Sequence, residues 1–246
     1  MTYCVAVKVN EGLVALADTR TNAGVDYISR YRKSFTWEVP GDRAICLMTA
    51  GNLSITQGIL TRIGEATRRV EAGETAETIL NAPSMYRVAE IVAEYMREMQ
   101  DLHRVPLMTQ GVAADATVLV AGQRAGGTHR VYMVYSAGNF IEATADTPFL
   151  QAGEHKYGKP VLDRMITPET PLVDALRAVF VSMDSTVRSN LSVGMPLDLA
   201  VIPAGEQKFS LLRRIDETDT DWQAISSAWS AGLREGFGKL PPVDQL

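Results

Sequence analysis

The sequence is short of several things that common enzyme chemistries need. It has two cysteines, Cys4 and Cys46, and three histidines, His103, His129 and His155, in 246 residues. Two thiols cannot build a disulfide framework in a chain of this length, so they read as reduced. No HExxH and no paired-cysteine spacing accompanies the histidines, which leaves a metal site without ligands, and each histidine reads as surface or structural. Phosphate-cradling signatures are missing too: there is no Walker loop, no GxGxxG after a strand and no GxSxG elbow. Neither a metal nor a nucleotide cofactor is expected.

Positive charge is in deficit as well. Lys and Arg number 24 against 29 Asp and Glu, a net charge of −5, which argues against a broad surface for nucleic acid or an acidic membrane and leaves room only for a local basic patch. No apolar run approaches a bilayer span, and Met1-Thr2-Tyr3-Cys4 lacks the basic start of a signal peptide. A cytoplasmic protein is the resulting expectation. With 46% hydrophobic residues, the chain has enough apolar material for a large core.

What is there is a clear alternation of blocks. Val5–Val9 and Gly12–Ala17, joined by Asn10-Glu11-Gly12, predict a β-hairpin at the start. A polar loop from Asp18 to Asp26 and a short segment from Tyr27 to Tyr31 lead to strands at Ser34–Val39 and Ala44–Met48. The period then changes: Ile55, Ile59, Ile63 and Val70 recur at helical spacing, as do Val88, Ile91, Val92, Tyr95, Met96 and Met99 behind Ser84 as N-cap. Strands return at Thr117–Ala121, Arg130–Tyr135 and Phe140–Ala143. A second helical pair is predicted near Tyr157–Met165 and from Pro171, placed in its first turn, through Met183. Strands at Leu197–Ile202 and Phe209–Leu212 and a terminal helix, 221–237, complete the chain. Runs of strands separated from runs of helices favour antiparallel sheets. The predicted fold is α+β: two antiparallel sheets face to face with a helical pair on each outer side, a four-layer αββα sandwich forming one domain over 1–246. Pro241-Pro242 marks a short tail.

The chemistry that survives these exclusions sits at the N-terminus. Thr2 is small enough to permit removal of Met1, which would put a free α-amine and a hydroxyl on one residue. An α-amine has an ordinary pKa near 8, so it can serve as base for its own hydroxyl without any histidine. Taken alone, a Met-Thr start is commonplace.

The pattern behind Thr2 changes its meaning. The strand after it, the apolar Gly12-Leu13-Val14-Ala15-Leu16-Ala17 ending in Asp18-Thr19-Arg20, Arg32-Lys33 before a short strand, and Thr49-Ala50-Gly51-Asn52 between a strand and a helix resemble the proteasome-type branch of the N-terminal nucleophile hydrolases. Within that branch the likeness is to the bacterial ancestral β-subunit group. It runs the length of the chain, through the motif at 20–26 and the tail Asp221-Trp222-Gln223 with Ala228-Trp229. The resemblance implies the Ntn-hydrolase fold and a threonine-type peptidase cleaving through an acyl-enzyme on Thr2. It implies Lys33 beside the hydroxyl and Asp18 pairing with Lys33. It also implies an oxyanion donor in the Gly51 amide at the start of a helix, with Arg20 ordering the corner.

Two supporting elements depart from the family pattern. Gly153-Glu154-His155 stands where active β-subunits carry Gly-Ser-Gly. In Arg188-Ser189-Asn190-Leu191-Ser192-Val193-Gly194, Ser192 is kept while Ser189 replaces a carboxylate. Either Glu154 supplies the missing charge near the amine, or the amine is less activated than in a proteasome. A weak or inactive β-subunit-like assembly protein and a small-amide hydrolase are therefore kept as alternatives. The resemblance further implies self-association into a ring or an open helix and a polypeptide substrate, with no ATPase partner deducible. Trp222, Trp229 and Phe237 in the terminal helix suit either an interface or packing on their own domain.

Overall fold

The computed structural model describes residues 2–23 and 27–243. Met1 and Gly24-Val25-Asp26, which close the 20–26 motif, lie outside the described residues. Twelve strands and five helices follow one another in the described chain. One sheet has the order β10-β1-β2-β11-β12 and a second the order β5-β6-β7-β8-β9. The first is built from β1 (Tyr3–Val9), β2 (Gly12–Asp18), β10 (Phe149–Gly153), β11 (Leu197–Pro203) and β12 (Leu211–Ile215). The second is built from β5 (Ser34–Val39), β6 (Arg43–Gly51), β7 (Ala116–Arg124), β8 (Arg130–Val134) and β9 (Phe140–Glu142). Every neighbouring pair is antiparallel, as the hairpin pattern predicts.

Alternation along the strands sorts the apolar residues into three clusters. Tyr3, Val5, Val7 and Val9 of β1 pack with Leu162 of α3 (Lys159–Met165) and with Val179, Phe180 and Met183 of α4 (Leu172–Ser189). Ile45 and Leu47 of β6 and Val118 and Val120 of β7 pack with α1 (Leu53–Glu71) and α2 (Met85–Thr109). The residues between them in sequence, Cys4 and Ala6, Cys46 and Met48, Leu119 and Ala121, form a third cluster to which both sheets contribute. Both faces of the central strands are buried, which is why β2 and β6 read as unbroken apolar runs rather than as alternating ones. Small residues such as Ala6, Ala15, Ala17, Ala44 and Ala121 dominate this shared layer and let the backbones approach.

Helix ends follow local chemistry. Ser84 caps α2 as predicted, its hydroxyl accepting from Arg87 N at 3.0 Å. At α4 the structure corrects the prediction: Pro171 is the N-cap and the helix starts at Leu172, whose N–H donates to the Glu11 carboxylate at 2.7 Å. The β1–β2 hairpin thus holds the start of α4, a distant partner that no local pattern announces.

Three other segments differ from the sequence reading. The polar stretch after Asp18 forms a small ribbon, β3 (Arg20–Ala23) with β4 (Tyr27–Arg30), because backbone pairing needs no apolar alternation. The last strand is β12 rather than Phe209–Leu212, since Phe209 N donates to Glu38 and pairing with β11 runs from Leu211. β10 has no counterpart in the prediction; it is a five-residue edge strand behind Thr147-Pro148, and only pairing with the remote β1 makes it a strand. No helix among the described residues is long and apolar enough to cross a membrane.

His129, in the β7–β8 turn, fastens this scaffold across the sheets. Its Nε2 lies 2.7 Å from the Val9 carbonyl, which can only accept, so Nε2 carries the hydrogen. Burial, with Lys8 and Arg130 nearby, lowers its pKa below the ordinary 6.5, against the pull of the Val9 bond. The unfolded chain therefore takes up this proton first as pH falls, and stability is lost once pH drops below 6.5. In urea titrations, His129→Gln is expected to lose less stability than wild type between about pH 7.5 and about pH 5.5; equal losses would refute the linkage.

Candidate active site

Thr2 sits at the mouth of β1 and is buried. Its carbonyl accepts from Glu154 N at 2.7 Å, just beyond β10. That approach requires Gly153: at φ +83, a Cβ there would fall 1.9 Å from the Thr2 oxygen. On the other side, the register Cys4↔Ala17 brings Tyr3 next to Asp18 at the end of β2, and Tyr3 N donates to Asp18 Oδ1 at 3.0 Å. The Tyr3 phenol is buried between Ser182 of α4, at 2.6 Å, and Gln151 of β10. Its burial pushes its pKa up to about 12, so it stays a neutral anchor. Thr2 and Tyr3 are thereby held from two neighbouring strands and one helix.

Asp18 is fully buried and collects donors from three parts of the chain. Lys33 Nζ lies 2.7 Å from Oδ1, and Gly194 N donates to Oδ2 at 3.2 Å. Burial raises the Asp18 pKa, while Lys33 and the Tyr3 and Gly194 N–H groups oppose the rise. Lys33 enters β5 from the opposite sheet, where its carbonyl accepts from Thr49 N at 2.9 Å. Its ammonium also donates to the Arg20 carbonyl. The structure thus brings Asp18 and Lys33 together as a buried ion pair, two positions the sequence separates by a ribbon and a turn.

The predicted supporting residues divide. Arg20 donates to the Leu191 carbonyl at 2.9 Å, and its guanidinium lies against Gly194, where a Cβ would stand 2.5 Å from Cζ. It orders the loop that delivers the Gly194 N–H to Asp18. Gly51 is not the start of a helix: it is the last residue of β6, at φ +98, and the helix begins at Leu53 behind Asn52. A Cβ at Gly51 would lie 2.3 Å from the Asp115 carbonyl. Asn52 locks this corner: its N–H donates to Asp115 O at 2.7 Å, its Nδ2 donates to Ala113 O at 2.9 Å, and its Oδ1 caps α1.

The Ser192 and Glu154 side chains are engaged by their own neighbours. The Ser192 hydroxyl donates to Asn190 Oδ1 at 2.5 Å, within its own loop. The Glu154 carboxylate is 3.7 Å from Lys156, and it is the Glu154 backbone that holds Thr2. Ser189 ends α4, exposed. Sequence reasoning named Tyr3, Asn52, Gly153 and Gly194 only within motifs and gave them no role. The glycines were visible, but the close approaches that demand them join distant segments. Cys4 has its thiol 3.7 Å from the Thr49 carbonyl, and burial drives its pKa upward, which keeps it a poor nucleophile.

The pair makes a direct stability prediction. Lys33→Met leaves Asp18 buried without its cation and is expected to cost about 3–5 kcal/mol near neutral pH. An acid whose folded pKa is raised stabilises the fold as pH falls through that pKa, so the deficit should shrink on acidification. Adding Asp18→Asn should recover part of it. Urea melts of the three proteins at two pH values check this; a deficit independent of pH would contradict the buried charge.

No protein-family model matches the chain, and no curated protein does. Solved structures do. Anbu (ancestral β-subunit) from Yersinia bercovieri is 39% identical, with 99% of each chain covered and a TM-score of 0.90. Anbu from Hyphomicrobium sp. strain MC1 is 40% identical over 99% of this chain and 100% of that one, with a TM-score of 0.88. A helical assembly of the Anbu complex from Pseudomonas aeruginosa is 44% identical, covering 98% of this chain and 97% of that one, at a TM-score of 0.90. At such identity over nearly the whole length, the chain belongs to the Anbu family of proteasome-like ancestral β-subunits.

Proposed function

We propose that this protein is a cytoplasmic threonine-type peptidase of the N-terminal nucleophile class, folded as one four-layer αββα domain over 1–246, and that it works as a self-associated assembly. The observation that carries the reading is the buried Asp18–Lys33 pair behind the strand that begins one residue after Thr2. A desolvated ion pair is costly to bury, and here it is supported by the Tyr3 and Gly194 N–H groups, which donate to Asp18, and by the Arg20 carbonyl, which accepts from Lys33. Placing a fixed ammonium near a terminal hydroxyl lowers the cost of developing oxyanion charge.

In the proposed reaction, removal of Met1 frees the Thr2 amine. The amine takes the hydroxyl proton as Oγ1 attacks the scissile carbonyl carbon, forming a tetrahedral intermediate. Gly51 N–H is the proposed donor to its oxygen. The C–N bond then breaks, the proton passes to the departing amine, and an ester on Thr2 remains. Water, deprotonated by the same amine, hydrolyses the ester and restores the hydroxyl. Lys33 stabilises charge, Asp18 holds Lys33, and Arg20 orders the loop behind Asp18. Polypeptide is the proposed substrate.

A second reading, an assembly protein with weak or no turnover, draws on the shell. The Ser192 hydroxyl donates to Asn190 and the Glu154 carboxylate lies 3.7 Å from Lys156, which draws both toward partners other than Thr2 among the described residues. One experiment separates the two. After intact mass confirms the loss of Met1, the protein is treated with a peptide epoxyketone. The peptidase reading expects one adduct on wild type and on Thr2→Ser, and none on Thr2→Ala. Met-free wild type that takes no adduct would favour the assembly reading.

A further inference from the structure

The entry to α2 and the β7–β8 turn enclose a cavity of about 370 Å³, the lower end of the size range for small-molecule sites. Its walls are residues 83–86 before and at the start of α2, residues 124–128 in the turn, and Arg130, Tyr132 and Glu142 on the sheet.

Charge around this cavity is unbalanced. Arg43 and Arg124 share one carboxylate: Arg43 Nε donates to Asp42 Oδ2 at 2.5 Å, and Arg124 Nε stands 3.7 Å from Oδ1. Glu142 is shared in the same way, 2.6 Å from Arg130 and 3.9 Å from Lys8. Four cations against two carboxylates leave two positive charges in excess. Arg43, behind the wall, is only 2% exposed, so water screens its charge little. The acidic residues nearby on the other side of α2, Glu77, Glu90 and Glu94, are taken up by Arg87 and do not line the cavity.

Arg124 is the lining cation that the fold uses least. Its Nη1 donates to the Ala125 carbonyl at 3.2 Å, while its buried Nε meets no hydrogen-bond acceptor among the described residues. A guanidinium has five N–H donors, so most of this one's capacity has no acceptor within the chain. Across the cavity, Met85 and Tyr86 open a helix of 25 residues with no acidic side chain in its first turn, and the Ser84 hydroxyl is spent on Arg87 N. The positive end of α2 therefore borders the same space.

A flat apolar wall completes it. Tyr86 is 53% exposed, yet its ring is held edge-on by Phe140 at 5.2 Å and by Tyr132 at 6.3 Å between centroids. An exposed ring that is already ordered loses little entropy when another ring stacks on it. Gly126, at φ +75 in a turn closed by Gly127 N donating to Arg124 O at 3.0 Å, and Gly127 itself put no side chain over the opening.

We propose that this cavity binds a small aromatic phosphomonoester, with its phosphate between Arg124 and the start of α2 and its ring on Tyr86. A phosphomonoester carries nearly two negative charges at neutral pH and so matches the excess, whereas a carboxylate carries one. The guanidinium fork takes two phosphate oxygens at once. Binding there is independent of the chemistry proposed for Thr2, so failure of one leaves the other standing.

Isothermal titration calorimetry and ligand-observed NMR on the full chain test it, with phenyl phosphate, adenosine monophosphate, inorganic phosphate and benzoate as probes. At least one of the two esters is expected to bind with a Kd of about 1 mM or tighter, and which of them binds better separates a simple aryl phosphate from a nucleotide. Arg124→Gln is expected to weaken that ester at least about tenfold, the loss of one charge-assisted hydrogen bond. Asp42 keeps Arg43 in this variant, so no carboxylate is stranded. Tyr86→Ala is expected to weaken the ester at least about fivefold by loss of stacking, with inorganic phosphate unaffected. Thermal melts confirm that both variants are folded, and Arg177→Gln, which removes an exposed pair with Asp174 on α4, is expected to bind as wild type does. The proposal is overturned by no binding of either ester, by inorganic phosphate or benzoate binding as tightly as the better ester, or by Arg124→Gln and Tyr86→Ala binding it no more weakly than Arg177→Gln.

Discussion

The ion pair between Asp18 and Lys33 is the constraint around which the rest is arranged. It joins the end of a central strand in one sheet to the entry of an edge strand in the other, and both side chains are shut away from water. Such a pair is tolerable only if its remaining polar atoms are met. The Tyr3 and Gly194 N–H groups meet Asp18, and the Arg20 carbonyl meets Lys33. Each of those partners is fixed in turn: Tyr3 by its buried phenol, and Gly194 by the Arg20 guanidinium lying over it. The corner beside Thr2 is rigid because several segments would all have to move before the charges could separate.

Close backbone approaches do the remaining positioning. Gly153 lets the chain beyond β10 reach the Thr2 carbonyl, and Gly51 lets the end of β6 pass the Asp115 carbonyl. At both sites the backbone has positive φ and a Cβ would collide with another backbone, so the residue type is dictated by geometry on two counts. Gly232, Gly236 and Gly238 of the terminal helix are the contrast: no described residue comes within 4 Å of where a Cβ would stand. Glycine answers to close contact in the first case and to none among the described residues in the second.

Much of the fold was legible in residue order. The hairpins, both helical pairs and the Ser84 cap follow from period and turn chemistry, which act over a few residues. The ribbon at β3 and β4, the edge strand β10 and the start of α4 were not. Each depends on a remote partner: backbone pairing alone for the ribbon, β1 for β10, and the Glu11 carboxylate for Leu172. The terminal aromatics divide in the same way, since period places Trp222 and Phe237 on one face but only the fold buries the first and exposes the second.

The candidate site divides along similar lines. Residue order and family likeness were enough to single out Thr2, Asp18 and Lys33, because a terminal hydroxyl followed by an apolar strand ending in Asp and a later Arg-Lys is a pattern in one dimension. Tertiary structure decided what those residues touch. It made Asp18 and Lys33 a buried pair and moved Gly51 from a helix start to a strand end. It also turned the Ser192 hydroxyl and the Glu154 carboxylate toward Asn190 and Lys156. The physical reason is that the identity of a charge is carried by its own residue, whereas its partner, its burial and therefore its energy are set by chain segments that meet only when both sheets have closed on each other.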